Sequence, residues 1–471
     1  MKKLKFFYEG AMAGLIGPEH GISEEELEQE AKRLSPYVSM MQQTAARAST
    51  RSAYIDERAS INLPLDEEMR QKVKHLARDK RERGIECLVV IGIGGSNLGT
   101  IAVKDALLGK LYNQLPSCSP KILFADTVDN DYIADLLEVV EQILKRGGKV
   151  LLNVVTKSGS TTETVANFEL FLEVLRRYYP KDYADYVVIT TDKNSKLWDL
   201  AEGRFDRLEI PHQVGGRYSV FSPVGLFPLT MLGIDIDKLC EGAKIMRQMC
   251  LEEEIRRNPA ALSALIQYIQ ETKKQKPINV NFFFSRELNS LGYWYRQLMG
   301  ESIGKEQKLT GQRANLGITP VVAVGSVDLH SVAQLFLAGP NDKYTNFIKV
   351  AAQSRQSLRV PDSPEVDTLA ENLAGKSFPE VMEAIFGGTV AAYLENRRPS
   401  TATVLPERSE YTVGQWLQWK MMEMIYLGAL YEVNPFDQPK VEDYKKVTRE
   451  ILKAGRYGEQ NPYQKREDNR C

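Results

Sequence analysis

The sequence of 471 residues predicts an α/β fold: two three-layer αβα domains with mainly parallel sheets, and helical segments at both ends. First, apolar β-branched runs of strand length alternate with helical patterns, which implies parallel strands joined by right-handed crossovers. Second, this alternation occurs twice, on either side of a linker near 205–230. The predicted parts are an N-terminal helical segment at 1–60, α/β domains at 61–205 and 206–430, and a C-terminal helical arm and tail at 431–471.

The N-terminal segment begins with helix signals. Ser23 followed by Glu26 is a capping box, in which each residue's side chain bonds the other's backbone N–H. A second helical pattern runs over residues 65–81 and is closed by Gly84. We therefore predict two helices before the first sheet.

The first predicted strand, residues 87–91, runs into a glycine-rich turn at 92–99 and a helix from about Thr100. A dinucleotide-binding loop is the alternative, because such loops have a similar glycine pattern. Two observations disfavour it. Ser96-Asn97 stands where close helix packing requires glycine or alanine, and the next strand ends at Asp126, about thirty residues on rather than about twenty. We interpret Ser96 as a hydroxyl donor at a helix start.

The most informative motif follows the strand at 150–155. Five hydroxyl residues and one lysine precede a helical pattern at 165–178: Thr156, Lys157, Ser158, Ser160, Thr161 and Thr162. The first N–H groups of a helix lack internal partners and carry a positive dipole end, so the motif suits a dianionic phosphate. The alternative is ordinary helix capping, which needs only one or two hydroxyls. The loop is not a P-loop, because the GxxxxGK[ST] spacing is missing.

A second glycine-rich segment spans residues 214–225, after a strand at 186–191. Its tandem glycines, Gly215 and Gly216, hold Arg217, and a fixed arginine favours contact with a phosphate or an oxyanion. The alternative is a loop arginine in a structural ion pair. Ser222 and Pro223 predict the cap and first turn of the next helix.

The second α/β series has predicted strands at 278–284, 318–324 and 346–351. A helix from Glu287 carries Gln297 and runs into the segment 300–305, and His330 is predicted to open another helix. A long helix at 413–433, rich in Trp and Met, predicts core or a subunit interface. A last helix at 441–454 bears Lys445, and the polar tail after Arg456 is expected to fray.

Composition narrows the class of protein. A formal net charge of -1 gives no global field to attract nucleic acid or an anionic membrane, so we expect neither partner. No apolar run approaches the ~20 residues of a membrane span, and no signal-peptide pattern is present. Five cysteines without a CxxC pair suggest free thiols in the cytoplasm, with Cys471 incidental. The four scattered histidines predict no metal site.

Six motifs stand in a fixed order: IGIGGSNLG, TKSGSTTET, GGRYSVFSPVG, QLMGESIGKE, VDLH and NPFDQPKVEDYKK. With them, the chain from about residue 60 to 450 resembles the phosphoglucose isomerase family. GGRYS and the FDQ segment are highly specific, whereas TKSGSTTE occurs in other sugar-phosphate-binding SIS domains. The resemblance implies two SIS-type domains, a homodimer with active sites at the interface, and no cofactor. Lys440 stands where the family usually has glycine.

The resemblance also implies the reaction, a reversible isomerisation of glucose 6-phosphate and fructose 6-phosphate in glycolysis and gluconeogenesis. The ring opens, and a base moves a proton between adjacent carbons through a cis-enediol(ate). Four positions match the family's catalytic residues: Glu301 as the base, Arg217 facing the oxyanion, His330 opening the ring of the neighbouring subunit's substrate, and Lys445 near the ring oxygen. Others match binding positions: Ser96, Thr156, Lys157, Ser158, Thr161, Glu163, Gly216, Gln297 and Gln438.

Two alternative functions stay open on the residues alone. A non-catalytic SIS sugar-phosphate sensor would need the phosphate loop but not Glu301, Arg217 and His330 together. A related aldose–ketose isomerase, acting on a mannose or amino sugar phosphate, would share most of these residues. We further expect the predicted helix start at His330 to disfavour the imidazolium and keep this side chain neutral.

Overall fold

The structure is a computed structural model that describes residues 2–47, 54–352, 356–366, 369 and 371–455. The predicted tail after Arg456 and Cys471 lie outside these residues. The strands are β1 (Lys5–Phe7), β2 (Ile85–Ile91), β3 (Lys121–Ala125), β4 (Lys149–Val155), β5 (Val187–Thr191), β6 (Asp206–Glu209), β7 (Ile278–Phe283), β8 (Lys305–Gln307), β9 (Arg313–Leu316), β10 (Thr319–Val324), β11 (Lys343–Ala352) and β12 (Ser400–Glu407).

The α-helices cover most of the remaining described chain. They are α1 (Ala13–Ile16), α2 (Glu24–Ala46), α3 (Glu67–Glu82), α4 (Leu98–Leu108), α5 (Asn130–Lys145), α6 (Thr162–Tyr178), α7 (Lys196–Ala201), α8 (Pro223–Met231), α9 (Ile236–Met249), α10 (Pro259–Thr272), α11 (Asn289–Ile303), α12 (Ala333–Ala338), α13 (Phe378–Glu395), α14 (Glu410–Tyr431) and α15 (Pro439–Ala454). Short 3-10 segments include Gly94–Ser96, Gly216–Tyr218 and Val327–His330.

The first sheet is parallel throughout, with the order β3-β2-β4-β5-β6. Its three inner strands are almost continuously apolar, because helices cover both faces of a parallel sheet. All carboxyl ends therefore meet at one edge, which is where open α/β sheets bind ligands. The glycine-rich turn follows β2 and the hydroxyl-rich loop follows β4, so both lie at this edge.

The second sheet has the order β1-β12-β11-β7-β10, and all its strands are parallel except β1. The predicted α/β class with mainly parallel sheets is thus confirmed. Two details differ from the predicted bounds. The segment 1–60 is not only helical, because β1 pairs antiparallel with β12 and joins the second sheet. Strand β6 lies beyond the predicted boundary at 205, yet it pairs with β5. We therefore propose that the first domain extends through Glu209.

These differences have a local cause. A strand of three or four residues carries too few alternations to stand out from a loop in the sequence. Longer signals were read correctly, such as the capping box of Ser23 and Glu26 at the start of α2 and the cap that Ser222 provides for α8. Among the described residues, no helix is long and apolar enough to cross a membrane.

The core joins the two sheets through α9, α10, α11 and α14. The predicted Trp- and Met-rich helix is α14, and nearly all of its side chains are buried. Helices α9 and α14 approach so closely that a Cβ on Gly242 would lie 1.9 Å from the Tyr411 carbonyl oxygen. A Cβ on Gly414 would lie 2.0 Å from the Leu239 carbonyl oxygen. Glycine at both positions lets the two backbones pack directly.

This contact gives a stability prediction. Gly242→Ala puts a methyl group against a backbone carbonyl that cannot rotate away, so the helices must separate, and we expect the free energy of unfolding to fall by about 2 kcal/mol or more. Gly14→Ala is the matched control, since a Cβ there meets nothing within 4 Å. Denaturant unfolding of both variants checks this. Equal stability of the two variants would contradict the packing.

Candidate active site

Arg217 lies at the centre of the site. Its turn, Gly216–Tyr218, follows β6, and its side chain is only 3% exposed. The guanidinium donates from Nε to Ser302 Oγ (2.9 Å) and from Nη2 to the carbonyl oxygens of Pro435 (2.7 Å) and Asp437 (3.1 Å). A buried charge needs such a set of partners to offset its lost hydration. The arginine therefore ties the turn after β6 to α11 and to the turn before α15.

The remaining N–H groups of Arg217 face two side chains of the predicted site. Nη1 donates to Glu301 Oε2 at 3.1 Å and to Gln438 Oε1 at 2.7 Å. Gln297, one helical turn before Glu301 on α11, donates from Nε2 to Glu301 Oε1 at 3.2 Å. The carboxylate is thus oriented on both oxygens, while its side chain stays 32% exposed and accessible to a ligand.

A buried lysine, Lys305, also connects α11 to the turn before α15. Lys305 Nζ donates to the Glu301 carbonyl oxygen (3.0 Å), to Asp437 Oδ1 (2.8 Å) and to the Asp437 carbonyl oxygen. Burial lowers the pKa of Lys305, although the carboxylate of Asp437 acts in the opposite direction. Lys305 therefore connects the end of α11 to the turn that supplies partners for Arg217.

Tyr218 completes this cluster. Its hydroxyl lies 2.9 Å from Ser302 Oγ and donates to the Pro435 carbonyl oxygen at 3.3 Å. Burial raises the pKa of this phenol, so the hydroxyl remains a neutral hydrogen-bond partner. Ser302 is thus held between the tyrosine and Arg217.

The hydroxyl-rich loop lies at the adjacent carboxyl edge of the first sheet. Thr161 is the N-cap residue of α6, but its hydroxyl makes no capping bond and instead lies 3.0 Å from that of Thr156. Ser158 Oγ accepts hydrogen bonds from the backbone N–H and the hydroxyl of Ser160, both at 3.3 Å. Gly159 has φ of 70°, in the left-handed region that favours glycine. The capping alternative therefore does not describe Thr161.

The glycine-rich turn connects this loop to Arg217. An added Cβ on Gly95 would lie 2.3 Å from the carbonyl carbon of Gly216, so only glycine allows this approach. A Cβ on Gly94 would lie 2.9 Å from Gln297 Nε2. On the other side, a Cβ on Gly92 would lie 2.8 Å both from Ser96 Cβ and from the Val155 carbonyl oxygen, just before the loop. Three sequence-distant segments thus form one surface.

Lys157 and Glu163 flank the hydroxyl groups, and both are half-buried. Burial lowers the pKa of Lys157, and the nearby carboxylates of Asp192 and Glu57 only partly oppose this. Glu163 lies in the first turn of α6. A bound anion would stabilise the charged form of this lysine.

Two predicted catalytic residues do not join this cluster within the described chain. His330 is exposed and ends the 3-10 segment Val327–His330. The following helix begins only at Ala333, so the expectation that His330 opens a helix is wrong. Eight residues, 325–332, connect β10 to α12, and His330 lies within this connection. Lys445 lies on α15 and pairs with Glu442 on the same helix at 2.8 Å.

The substitution at Lys440 is accommodated at the surface. Lys440 lies at the start of α15, and its Nζ is 2.9 Å from Oε2 of Glu306 on β8. This ion pair links α15 to the strand that carries Lys305. In the part of the chain that the structure describes, no group of histidine, cysteine or acidic side chains could hold a metal ion.

Comparison with known proteins gives the family of the chain. The profile described as phosphoglucose isomerase matches residues 44–464. The chain belongs to the phosphoglucose isomerase family. The expected class, an enzyme that isomerises a sugar phosphate, is thereby confirmed.

Individual relatives cover most of the chain. A glucose-6-phosphate isomerase of Carboxydothermus hydrogenoformans is 37% identical over 404 residues, covering 84% of this chain and 85% of the relative. A glucose-6-phosphate isomerase of Rubrobacter xylanophilus is 32% identical over 448 residues, covering 94% and 97%.

Two solved structures share the fold. A Thermus thermophilus protein, described as hypothetical, has a TM-score of 0.78 and 30% identity, covering 95% of this chain and 99% of that one. A Chlamydia trachomatis glucose-6-phosphate isomerase has a TM-score of 0.80 and 21% identity, covering 97% and 90%.

Sequence reasoning missed four residues of the Arg217 cluster: Tyr218, Ser302, Lys305 and Asp437. Tyr218, Ser302 and Asp437 are each next to a predicted site residue, and Lys305 is four residues after Glu301 in the same motif. Their roles depend on which way a side chain points at the end of a helix or in a turn, and no periodicity reports that. A polar residue next to a predicted site residue is the signal that could have found Tyr218, Ser302 and Asp437, whereas Lys305 offers no such signal.

Lys305 provides a test of this support. Lys305→Met keeps the stem of the side chain but leaves Asp437 and the end of α11 without their shared donor, so Arg217 and Glu301 lose alignment. We expect kcat for sugar-phosphate isomerisation to fall about tenfold to a hundredfold. Lys308→Met removes a nearby charge that pairs with Glu432 at 2.8 Å, outside the cluster, and should leave kcat unchanged. Equal activity of both variants would show that Lys305 does not position the site.

Proposed function

We propose that this protein interconverts glucose 6-phosphate and fructose 6-phosphate through ring opening and a cis-enediol(ate), with Glu301 as the base. The observation that carries the proposal is the pairing of Glu301 Oε2 with Arg217 Nη1 at 3.1 Å, in a site that Gln297 and Gln438 also line. A carboxylate can take a proton from one carbon and return it to the next without leaving the site.

The arginine supplies what the base lacks. Removing a proton beside a carbonyl builds negative charge on the sugar oxygens, and a fixed guanidinium interacts with that charge more strongly in the transition state than in the ground state. Arg217 is held by partners other than Glu301, so its position does not depend on the charge of the base. Gly216, beside it, lets a substrate approach the backbone.

The phosphate group is assigned to the hydroxyl-rich loop and the adjacent turn. Ser96, Thr156, Ser158 and Thr161 supply hydroxyls, and Lys157 supplies the charge. The N-terminus of α6 adds unpaired backbone N–H groups. The phosphate is remote from the reacting carbons, so its binding can position the substrate for proton transfer to Glu301. Glu163 is assigned to the lining of the same site.

Ring opening is assigned to His330 and Lys445, with His330 donated across a homodimer interface. The exposure of His330 supports this, because within one described chain His330 does not lie beside Arg217. Exposed apolar side chains flank it, with Val327 at 56% and Leu335 at 50%. A second copy of the chain on this face would cover them and bring His330 to a neighbouring site.

We also propose that the reaction serves glycolysis and gluconeogenesis in the cytoplasm. Within the described residues, the cysteines that support a reducing compartment are free thiols: Cys87, Cys118, Cys240 and Cys250. Cell fractionation that recovers the protein outside the cytoplasm would contradict this location.

The base assignment predicts a kinetic result. Glu301→Gln keeps the shape of the side chain but cannot accept a proton, so kcat should fall by about two to four orders of magnitude while inhibitor affinity is retained. The measurement is steady-state conversion of fructose 6-phosphate to glucose 6-phosphate with EDTA present. Glu306→Gln, on strand β8 outside the Arg217 cluster, is the control and should stay active. Full activity of Glu301→Gln would refute the role of Glu301.

The phosphate assignment predicts a pH effect. An anion binds the charged form of Lys157, so affinity is fully present below the free-state pKa and is lost as the pH rises through it. Because burial lowers that pKa, the loss should begin below the ordinary lysine value of 10.5. Lys157→Ala should weaken binding of a sugar-phosphate inhibitor and remove this alkaline loss. An unchanged inhibitor affinity and Michaelis constant in the variant would count against the assignment.

The dimer predicts complementation. His330→Ala and Glu301→Gln should each be nearly inactive alone. In a mixed dimer, one of the two sites combines an intact Glu301 with the partner's intact His330, so random co-assembly should restore about a quarter of wild-type activity. Co-expression with two affinity tags allows the mixed dimers to be purified and assayed. If they stay inactive, the histidine is not donated across the interface.

A further inference from the structure

The second sheet repeats the strand topology of the first. In the first sheet, β2 is followed along the chain by β3 on one side and then by β4 and β5 on the other. In the second sheet, β7 is followed by β10 on one side and then by β11 and β12 on the other. The loops after β7 and β11 therefore correspond to the loops after β2 and β4, which form the proposed phosphate site.

A cavity of about 310 Å³ lies at this corresponding place. It is lined by residues 284–287 after β7, by the end of β11 and residues 356–358 beyond it, by the start of α13, and by Arg408 after β12. Carboxyl ends of parallel strands at a point where the strand order reverses are the usual ligand site of an open α/β sheet. The volume is at the lower end of the range for small-molecule pockets.

The charged side chains of the cavity are mainly cationic. Arg286 and Arg408 line it, and Arg286 is exposed and has no hydrogen bond or ion pair to another residue in the described part of the chain. Glu287, the single acidic residue among the described lining residues, is engaged elsewhere, because its carboxylate accepts from the Lys110 backbone N–H at 2.7 Å. The hydroxyl of Ser285 stands beside Arg286. Such a wall suits a phosphate or carboxylate group.

The cavity also has a large apolar lining, which includes Phe284, Leu358, Phe378 and Met382. This apolar lining makes the cavity chemically different from the proposed sugar-phosphate site. Where α6 begins with hydroxyl residues, α13 begins with Phe378-Pro379, and proline has no backbone N–H to offer a phosphate. A sugar, hydroxylated on all sides, would leave the apolar wall without a partner.

We infer that this cavity is a second ligand site for a small organic anion, whose phosphate or carboxylate group faces Arg286 and whose ring-sized apolar body contacts Phe284 and Met382. The site shares no residue with the proposed active site, so it does not depend on the proposed function.

Titration calorimetry on the full-length protein tests the site. Phenyl phosphate and benzoate are the probes, since they share one ring and differ in the anionic group. Saturating glucose 6-phosphate and fructose 6-phosphate, at equilibrium, keep the active site occupied. We expect one probe molecule bound per chain under these conditions, and the tighter of the two probes identifies the preferred anion.

Variants localise the binding. Arg286→Gln removes a charge-assisted hydrogen bond and should weaken the probe about tenfold or more. Ser285→Asp, which places a carboxylate beside Arg286, should weaken it as well. Arg313→Gln removes an exposed arginine from β9, outside the cavity, and should leave the affinity unchanged. Isomerase activity should be normal in all three variants.

Two results would overturn the inference. One is the absence of saturable probe binding when the sugar phosphates are present, which would assign any binding to the active site. The other is an unchanged probe affinity in both Arg286→Gln and Ser285→Asp. A failure of the isomerase assay in the wild-type protein would instead refute the proposed function and leave this titration interpretable.

Discussion

The site depends on the burial of one guanidinium. Arginine has five N–H donors, and Arg217 uses all of them on five acceptors, of which Ser302, Pro435 and Asp437 belong to the rigid surroundings. When an almost fully buried cation loses a partner, the free-energy cost is high, because the unpaired donor stays out of reach of water. The turn after β6, the end of α11 and the turn before α15 are therefore held in one arrangement.

This constraint has a chemical consequence. The partners that fix Arg217 are mostly backbone carbonyls and a serine, which do not change charge during a reaction. Glu301 and Gln438 contact the guanidinium through side chains that are partly or fully exposed, so they can also contact a substrate. In the proposed mechanism, the positive charge is therefore already placed beside the carboxylate, and little reorganisation is needed when negative charge develops on the substrate. Lys305 adds to this support, because it bonds the backbone of Glu301 and of Asp437, the residues around the guanidinium.

Much of this could be predicted from the sequence, for identifiable reasons. Buried parallel strands are long apolar runs, so the strands around Val89 and Leu152 were evident, and the loops at their carboxyl ends followed from topology. Strands of three or four residues, such as β1 and β6, carry no comparable signal. The type of a residue also does not show in which direction its side chain points. Lys305 reads as a surface lysine beside a predicted helix end, yet it points inward, whereas Lys445 pairs on its own helix.

The central claim is that a carboxylate at residue 301 moves a proton beside a fixed cation, and isotope exchange tests it most directly. When fructose 6-phosphate is converted in heavy water, a proton held on Glu301 can exchange before it is returned. The account predicts deuterium at the C2 carbon of the glucose 6-phosphate formed, measured by NMR, and loss of this incorporation when residue 301 is glutamine. Isomerisation without any deuterium uptake, or uptake at the normal rate without the carboxylate, would contradict it.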